Sequence, residues 1–206
     1  MSAAVIHGVL LSIGLIMAFG AQNVFIFNQG ASHKKLRSSL PAVITASVCD
    51  TILIILAVLG VSLMVMTVPG LQITLFAAGF LFLLYIGWTI WSSDPVKVND
   101  KYGAMRADKQ IMFAISVSLL NPHAILDTIG VIGANSLRYS GVAELVAFAV
   151  ACIIVSWITF IMLAVIGRSI RSIDREGKIV MTINKVSALM IWGVASYIAY
   201  QLYMLV

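Results

Sequence analysis

Six long apolar runs dominate this chain, at about 3–27, 40–63, 71–91, 111–134, 142–166 and 183–205. Each holds about 21–25 residues, enough to cross roughly 30 Å of hydrocarbon as a helix rising 1.5 Å per residue. In a chain of 206 residues, six such spans leave no room for a soluble catalytic domain. Hydrophobic residues make up 61% of the chain and charged ones only 10%. A soluble domain carries roughly 45–50% and 25%, so a soluble domain, a disordered chain and a coiled coil are all excluded. The expected fold class is an all-α integral membrane protein with six transmembrane helices. The first run is apolar from its start and the first lysine is Lys34. It lacks the basic n-region of a signal peptide and is expected to be a retained helix.

The connections between the runs carry very unequal charge. Lys34, Lys35 and Arg37 fall in the first, Lys97, Lys101, Arg106 and Lys109 in the third, and Arg168, Arg171, Arg175 and Lys178 in the fifth. The second and fourth hold Arg138 alone. Basic residues mark the cytoplasmic side of short loops, so connections one, three and five are expected in the cytoplasm and both termini outside. The second connection, Met64–Gly70, contains Pro69-Gly70 and is expected to be a tight turn. The third, the longest and most polar, divides a single membrane domain (1–206) into halves of about 1–91 and 111–206, joined by 92–110. The halves would enter the membrane in opposite directions, the plan of an inverted repeat of three helices. Asn23 and Asn121 are candidate equivalents, although Asn23 lies close to the cytoplasmic end of its run. Nucleic acid is not expected as a partner: the net charge of +5 comes from short loops, without basic stripes and interleaved aromatics. Small residues at Gly8, Gly14 and Gly20, and at Ala143, Ala147 and Ala151, let helix backbones approach in lipid. They point to packing within the bundle, with a homo-oligomer contact as the alternative.

Few ionisable groups lie inside the runs. Asp50 stands about ten residues into the second, near the bilayer midplane, and Asp127 stands in the fourth. A charged group at the centre costs at least about 2.5–3.5 kcal/mol and by default marks a functional site. No Lys or Arg lies in any span core, and the nearest is Lys185 at the edge of the sixth run. His7 is expected at the interface, whereas His123 adjoins Pro122. Two stretches read as helix breaks, Gly20-Ala21-Gln22-Asn23 and Asn121-Pro122-His123. Gly and Asn disfavour helix interiors, and Pro122 removes a backbone hydrogen bond. Backbone groups freed at membrane depth are tolerated where they line a cavity, and transporters aim them at substrate. Amide donors such as Gln22, Asn23 and Asn121 suit a carboxylate, while Asp50 and Asp127 suit a positive group or a proton.

These residues carry a family resemblance. Gly20-Ala21-Gln22-Asn23, Cys49-Asp50 and the stretch Asn121-Pro122-His123-Ala124-Ile125-Leu126-Asp127-Thr128 resemble the lysine/arginine exporter (LysE) family over essentially the whole chain. The resemblance implies export of lysine, arginine or similar basic amino acids across a bacterial cytoplasmic membrane, with no cofactor and no covalent chemistry. Branches that export neutral amino acids have Pro-Gly-Pro-Asn where this chain has Gly-Ala-Gln-Asn, and Asp127 also favours the basic branch. Gln22, Asn23, Asp50, Asn121, Pro122, His123 and Asp127 are the substrate-binding candidates. Moving one positive charge outward against an inside-negative potential costs about 2.3 kcal/mol per 100 mV. A proton moving inward offsets that and adds about 1.4 kcal/mol per unit of pH gradient, so proton antiport is the expected coupling.

Two other classes remain open. The first is an exporter of another solute, a neutral amino acid or a divalent metal cation; Cys49 beside Asp50 is a conceivable soft metal pair, but the metal-site spacing of a second cysteine is missing. A membrane redox enzyme would require Cys49 and Cys152 to meet each other or a partner thiol.

Overall fold

The computed structural model describes residues 1–16, 20–33, 35–60, 69–92, 105–119, 125–174 and 177–205. Every element among them is helical: α1 (Ser2–Ile16), α2 (Ala21–Ser32), a 3₁₀ turn (Leu36–Ser39), α3 (Leu40–Val58), α4 (Pro69–Trp91), α5 (Ala107–Leu119), a π-helical segment (Leu126–Ile132) running into Gly133–Ser136, α6 (Val142–Ile173) and α7 (Lys178–Leu205). Three helical stretches are long and apolar enough to cross a membrane, Leu36–Val58, Val142–Ile170 and Lys178–Met204. Ser2–Leu15 and Ala77–Trp91 are shorter apolar helices.

Local chemistry sets the helix ends. Gly20, extended at φ −76° and ψ 171°, opens α2, so the first apolar run is two helices rather than one. The second of these continues to Ser32, beyond the expected end of the run. Gln22 and Asn23 therefore lie at the start of α2, not near the end of a helix as the apolar run alone placed Asn23. Pro69 begins α4. Pro69-Gly70 is thus a helix start, not a turn: proline's fixed φ suits the first helical position, where its missing N–H is not needed. Leu59–Gly60 ends α3, with Gly60 at φ +82° and its N–H on the Ala57 carbonyl at 3.1 Å. α6 is 32 residues, about 48 Å. It outlasts the apolar run and carries Arg168 beyond the roughly 30 Å of hydrocarbon.

Each long helix has one apolar face turned outward. On α3, Ile44, Val48, Ile52, Ile55 and Leu59 are exposed at steps of three or four, while Ala42, Ala46, Leu53 and Ala57 are buried. Water would disfavour such a stripe; acyl chains match it. Exposed Tyr85 and Trp88 near the end of α4, and Tyr197, Tyr200 and Tyr203 near the end of α7, suit the membrane–water interface.

The helices pair across the chain's midpoint. The α1–α2 run lies along α6: Gly8 approaches the Phe148 carbonyl and Ala151, and Gly30 approaches the backbone of Ala164. Both numbers rise together, so these runs are parallel. α3 lies along α5 and the π-helical segment in the same way. The Ala42 N–H donates to Gln110 Oε1 at 3.3 Å, and Leu53, Ile54 and Ala57 join Ile132 in one core cluster. α4 packs on α7 in the opposite sense, Gly87 against Trp192 and Trp91 beneath the Lys185 ammonium. Gly30 and Gly167 are required by close approach: a Cβ on Gly30 would strike the Ala164 carbonyl, and one on Gly167 the Phe27 carbonyl. Lipid supplies no hydrophobic drive between helices, so such backbone contacts are what hold them. Gly8 and Ala151 pack inside the bundle, as small residues predict, but Ala143 is exposed and no described residue lies near Gly14.

The end of the bundle at the first connection is stitched by one side chain. Gln110 is 1% exposed. Its amide nitrogen lies 2.9 Å from the Ser38 carbonyl, 2.8 Å from the Met105 carbonyl and 3.0 Å from His33 Nε2. At the opposite end His7 Nδ1 meets the Tyr139 hydroxyl at 2.7 Å.

Candidate functional site

α3 carries Asp50 in mid-helix, on the side away from the exposed stripe. Both carboxylate oxygens turn inward. Gln22 Nε2 of α2 donates to Oδ1 at 3.0 Å, and Ser156 Oγ of α6 donates to Oδ2 at 2.8 Å. Three helices thus converge on one carboxylate. The break at Gly20 makes this geometry: it starts a new helix at Ala21, and the second residue of that helix reaches Asp50. Among the described residues no Lys or Arg forms an ion pair with Asp50. Lys185, in the first turns of α7, sits over the Trp91 ring at 5.6 Å instead. Two neutral donors orient the carboxylate but do not cancel its charge.

One residue further on, a second link joins the same helices. Trp157 Nε1 donates to Thr51 Oγ1 at 3.0 Å, and that hydroxyl donates to the Ser47 carbonyl at 2.7 Å. Ser47, one helical turn before Asp50, is wholly buried, and its hydroxyl has no hydrogen-bond partner among the described residues. With Gln22, Ser156 and the carboxylate it makes a polar centre inside an apolar shell.

Of the sequence candidates, Gln22 and Asp50 are brought into contact. Asn23, next to Gln22, is buried. The backbone of Asp127 lies in the π-helical segment, which packs against α3. π-Helical turns recur at functional sites. The Asp127 side chain, with Asn121, Pro122 and His123, lies outside the described residues. Ser156, Thr51 and Trp157 were not singled out by the sequence. The only signal for Ser156 was a hydroxyl in an otherwise apolar stretch, and single serines are common in membrane helices. Cys49 and Cys152 are both buried free thiols; Cys152 lies 3.7 Å from the Gly8 carbonyl. Among the described residues no three His, Cys, Asp or Glu side chains cluster as a metal site requires.

A helical bundle with lipid-facing stripes, closed around an intramembrane carboxylate, is the architecture of a polytopic membrane protein with a polar centre. Residues 13–202 match the family model described as LysE type translocator. The chain belongs to the LysE type translocator family. It is 52% identical over 200 residues to a Bacillus subtilis (strain 168) protein named "Putative amino-acid transporter YisU", covering 97% of this chain and 90% of that one. It is 30% identical over 210 residues to the Arginine exporter protein ArgO of Yersinia enterocolitica serotype O:8, covering 98% and 97%. It is 27% identical over 203 residues to the ArgO of Pectobacterium carotovorum, covering 97% and 98%. No solved structure matches the chain.

Proposed function

We propose that this protein exports basic L-amino acids, arginine or lysine, from the bacterial cytoplasm in exchange for an inward-moving proton. The observation that carries the reading is Asp50: a mid-span carboxylate held by Gln22 and Ser156, with no cationic partner among the described residues. An unpaired charge in a span is costly, and the transported ammonium or guanidinium, or a proton, supplies the missing counter-charge. The relatives named as arginine exporters support the same solute class. Gln22, Asn23, Asn121, Pro122 and His123 are proposed to line the path, with Asp127 as the second carboxylate.

The path is proposed to run through six spans arranged as two inverted halves. Alternating directions support this, since α1–α2 runs parallel to α6, α3 runs parallel to α5, and α4 runs against α7. An in-plane two-fold exchanging the halves turns the first pairing into the second and the third into itself. Connections one, three and five are assigned to the cytoplasm from their basic residues.

Efflux of arginine and lysine from cells loaded with dipeptides containing them tests the reading. Asp50→Asn keeps size and hydrogen bonding but removes charge. It is expected to reach the membrane at parental levels and to lose export, while Asp50→Glu keeps part of it. Parental efflux by Asp50→Asn at equal abundance refutes the mechanism. Asn121→Ala and Asp127→Asn are expected to be similarly impaired. Parental efflux by either removes that residue from the path.

A further inference from the structure

The hydrogen bonds of Gln110 fix the protonation state of His33. Gln110 Oε1 accepts from the Ala42 N–H, and Nε2 donates toward the Ser38 and Met105 carbonyls at 2.9 and 2.8 Å. Exchanging the two atoms would set oxygen against both carbonyls and N–H against N–H, so the amide has one orientation. The same Nε2 stands 3.0 Å from His33 Nε2. An amide nitrogen donates and does not accept. His33 Nε2 therefore carries no hydrogen, and the ring is neutral with its proton on Nδ1. Both residues are buried, where a mismatched polar contact is most costly.

We propose that His33 is a pH-sensitive latch at the first-connection end of the bundle. Neutral, it accepts from Gln110, and that amide ties the end of α2 to Ser38 of the first connection, to Ala42 of α3 and to Met105 before α5. Protonated, it is a donor at both nitrogens, so N–H meets N–H and Gln110 gives up the contact. The proton and the closed latch exclude each other. The closed form holds the neutral ring, and the opened form titrates near the ordinary histidine value of about 6.5. Closure is therefore at its strongest above that value and weakens as pH falls below it. The charged residues on the adjoining segments are Lys34, Lys35 and Arg37 of the first connection, Arg106, Asp108 and Lys109 around the start of α5, and Arg168 of α6. All but Asp108 are cationic and oppose a charged ring; Asp108 is exposed and pairs with Arg106 at 3.3 Å. On α3 the next ionisable groups, Cys49 and Asp50, stand about 10–12 Å along the helix from Ala42, and α7 meets α2 at its other end, around Ala21 and Val24. The latch does not depend on the export reading; on that reading this end is the cytoplasmic mouth, and the latch responds to cytoplasmic pH.

The full-length protein in detergent tests it. Ser39, wholly buried and next to Ser38, is the reporter position. Ser39→Cys, with Cys49 and Cys152 replaced, is labelled with a water-soluble maleimide, and each rate is divided by that of the denatured chain at the same pH. The ratio is expected to stay level from about pH 8 to about 6.5 and then to rise about tenfold over the next unit, one proton per opening. Adding His33→Gln, which keeps an acceptor at the reach of Nε2 and does not titrate, is expected to abolish the rise. A level ratio in the parent reporter overturns the latch. So does a rise that survives His33→Gln, since another group then senses the pH. Nitrogen-15 spectra of the chain labelled at its three histidines read the same state without a substitution at position 33, His7→Gln and His123→Gln identifying the other two. At about pH 8, above the ordinary histidine value, His33 is expected to show a bare Nε2 and a protonated Nδ1; a protonated Nε2 overturns the latch whatever the variants do.

Discussion

Asp50 and Ser156 show how a single hydrogen bond separates site from scaffold. Ser156→Ala leaves one carboxylate oxygen without its donor, and hydrogen bonds to charged groups are worth about 1.5–3 kcal/mol. Efflux should fall at least severalfold while membrane abundance holds, measured as initial rate per unit of protein. The neighbouring Trp157→Phe removes the donor to Thr51, whose hydroxyl keeps its bond to the Ser47 carbonyl. That variant should lose about 1 kcal/mol of stability, read as a lower melting temperature, and should transport normally. Asp50 was legible in the sequence because a charge in an apolar run needs a reason. Gln22 was legible through the glycine two residues before it. Ser156 was not, because a hydroxyl on a membrane helix satisfies itself as readily on its own carbonyl, as Ser169 does on Val165 at 3.0 Å. Which of the two it does depends on the facing helix, and a single helix's sequence is silent on that.

Among the elements, the crossing of α2 and α6 is the most sensitive. Gly30 and Gly167 bring backbone onto backbone, so a single methyl has nowhere to go without moving a helix. Gly167→Ala and Gly30→Ala are each expected to cost about 1–3 kcal/mol, seen as a lowered melting temperature in detergent. Gly14→Ala, with no described residue near it, should be neutral or slightly stabilising through helix propensity. If Gly167→Ala melts with the parent, the close approach is not part of the fold. The apolar runs located these helices to within several residues, because hydropathy reports what faces lipid. They missed the true ends for separate reasons. α6 continues past its apolar run because Arg168 is a good helix former with a stem long enough to reach water. Pro69 reads as a turn in isolation and as a helix start once residues on its C-terminal side propagate the helix.

For the whole molecule, orientation is the first test. With Cys49 and Cys152 replaced, a cysteine introduced at position 103 is expected to resist membrane-impermeant reagents applied to intact cells, and one near the N-terminus is expected to react. The reverse pattern would invert the molecule. The direction proposed for each helix rests on the alternation of charge between connections, which the sequence displays openly; which helix lies beside which is not displayed there, because an apolar stripe fits lipid and protein alike. The pairing has a consequence for how the chain is made. α2 finds its closest neighbour at Ala164 and Gly167, and α3 finds its own at Ala114 and Ile132. At roughly 5–20 residues per second, α2 waits several seconds after its synthesis before the surface that completes it has emerged. During that interval the early helices have no finished partners, and Asp50 has Gln22 but not Ser156. Whatever shelters a lone carboxylate in the insertion machinery is thus as much a requirement of this sequence as the bundle itself, and an added slow-translating stretch between residues 92 and 110 should raise degradation of the chain without changing the finished protein.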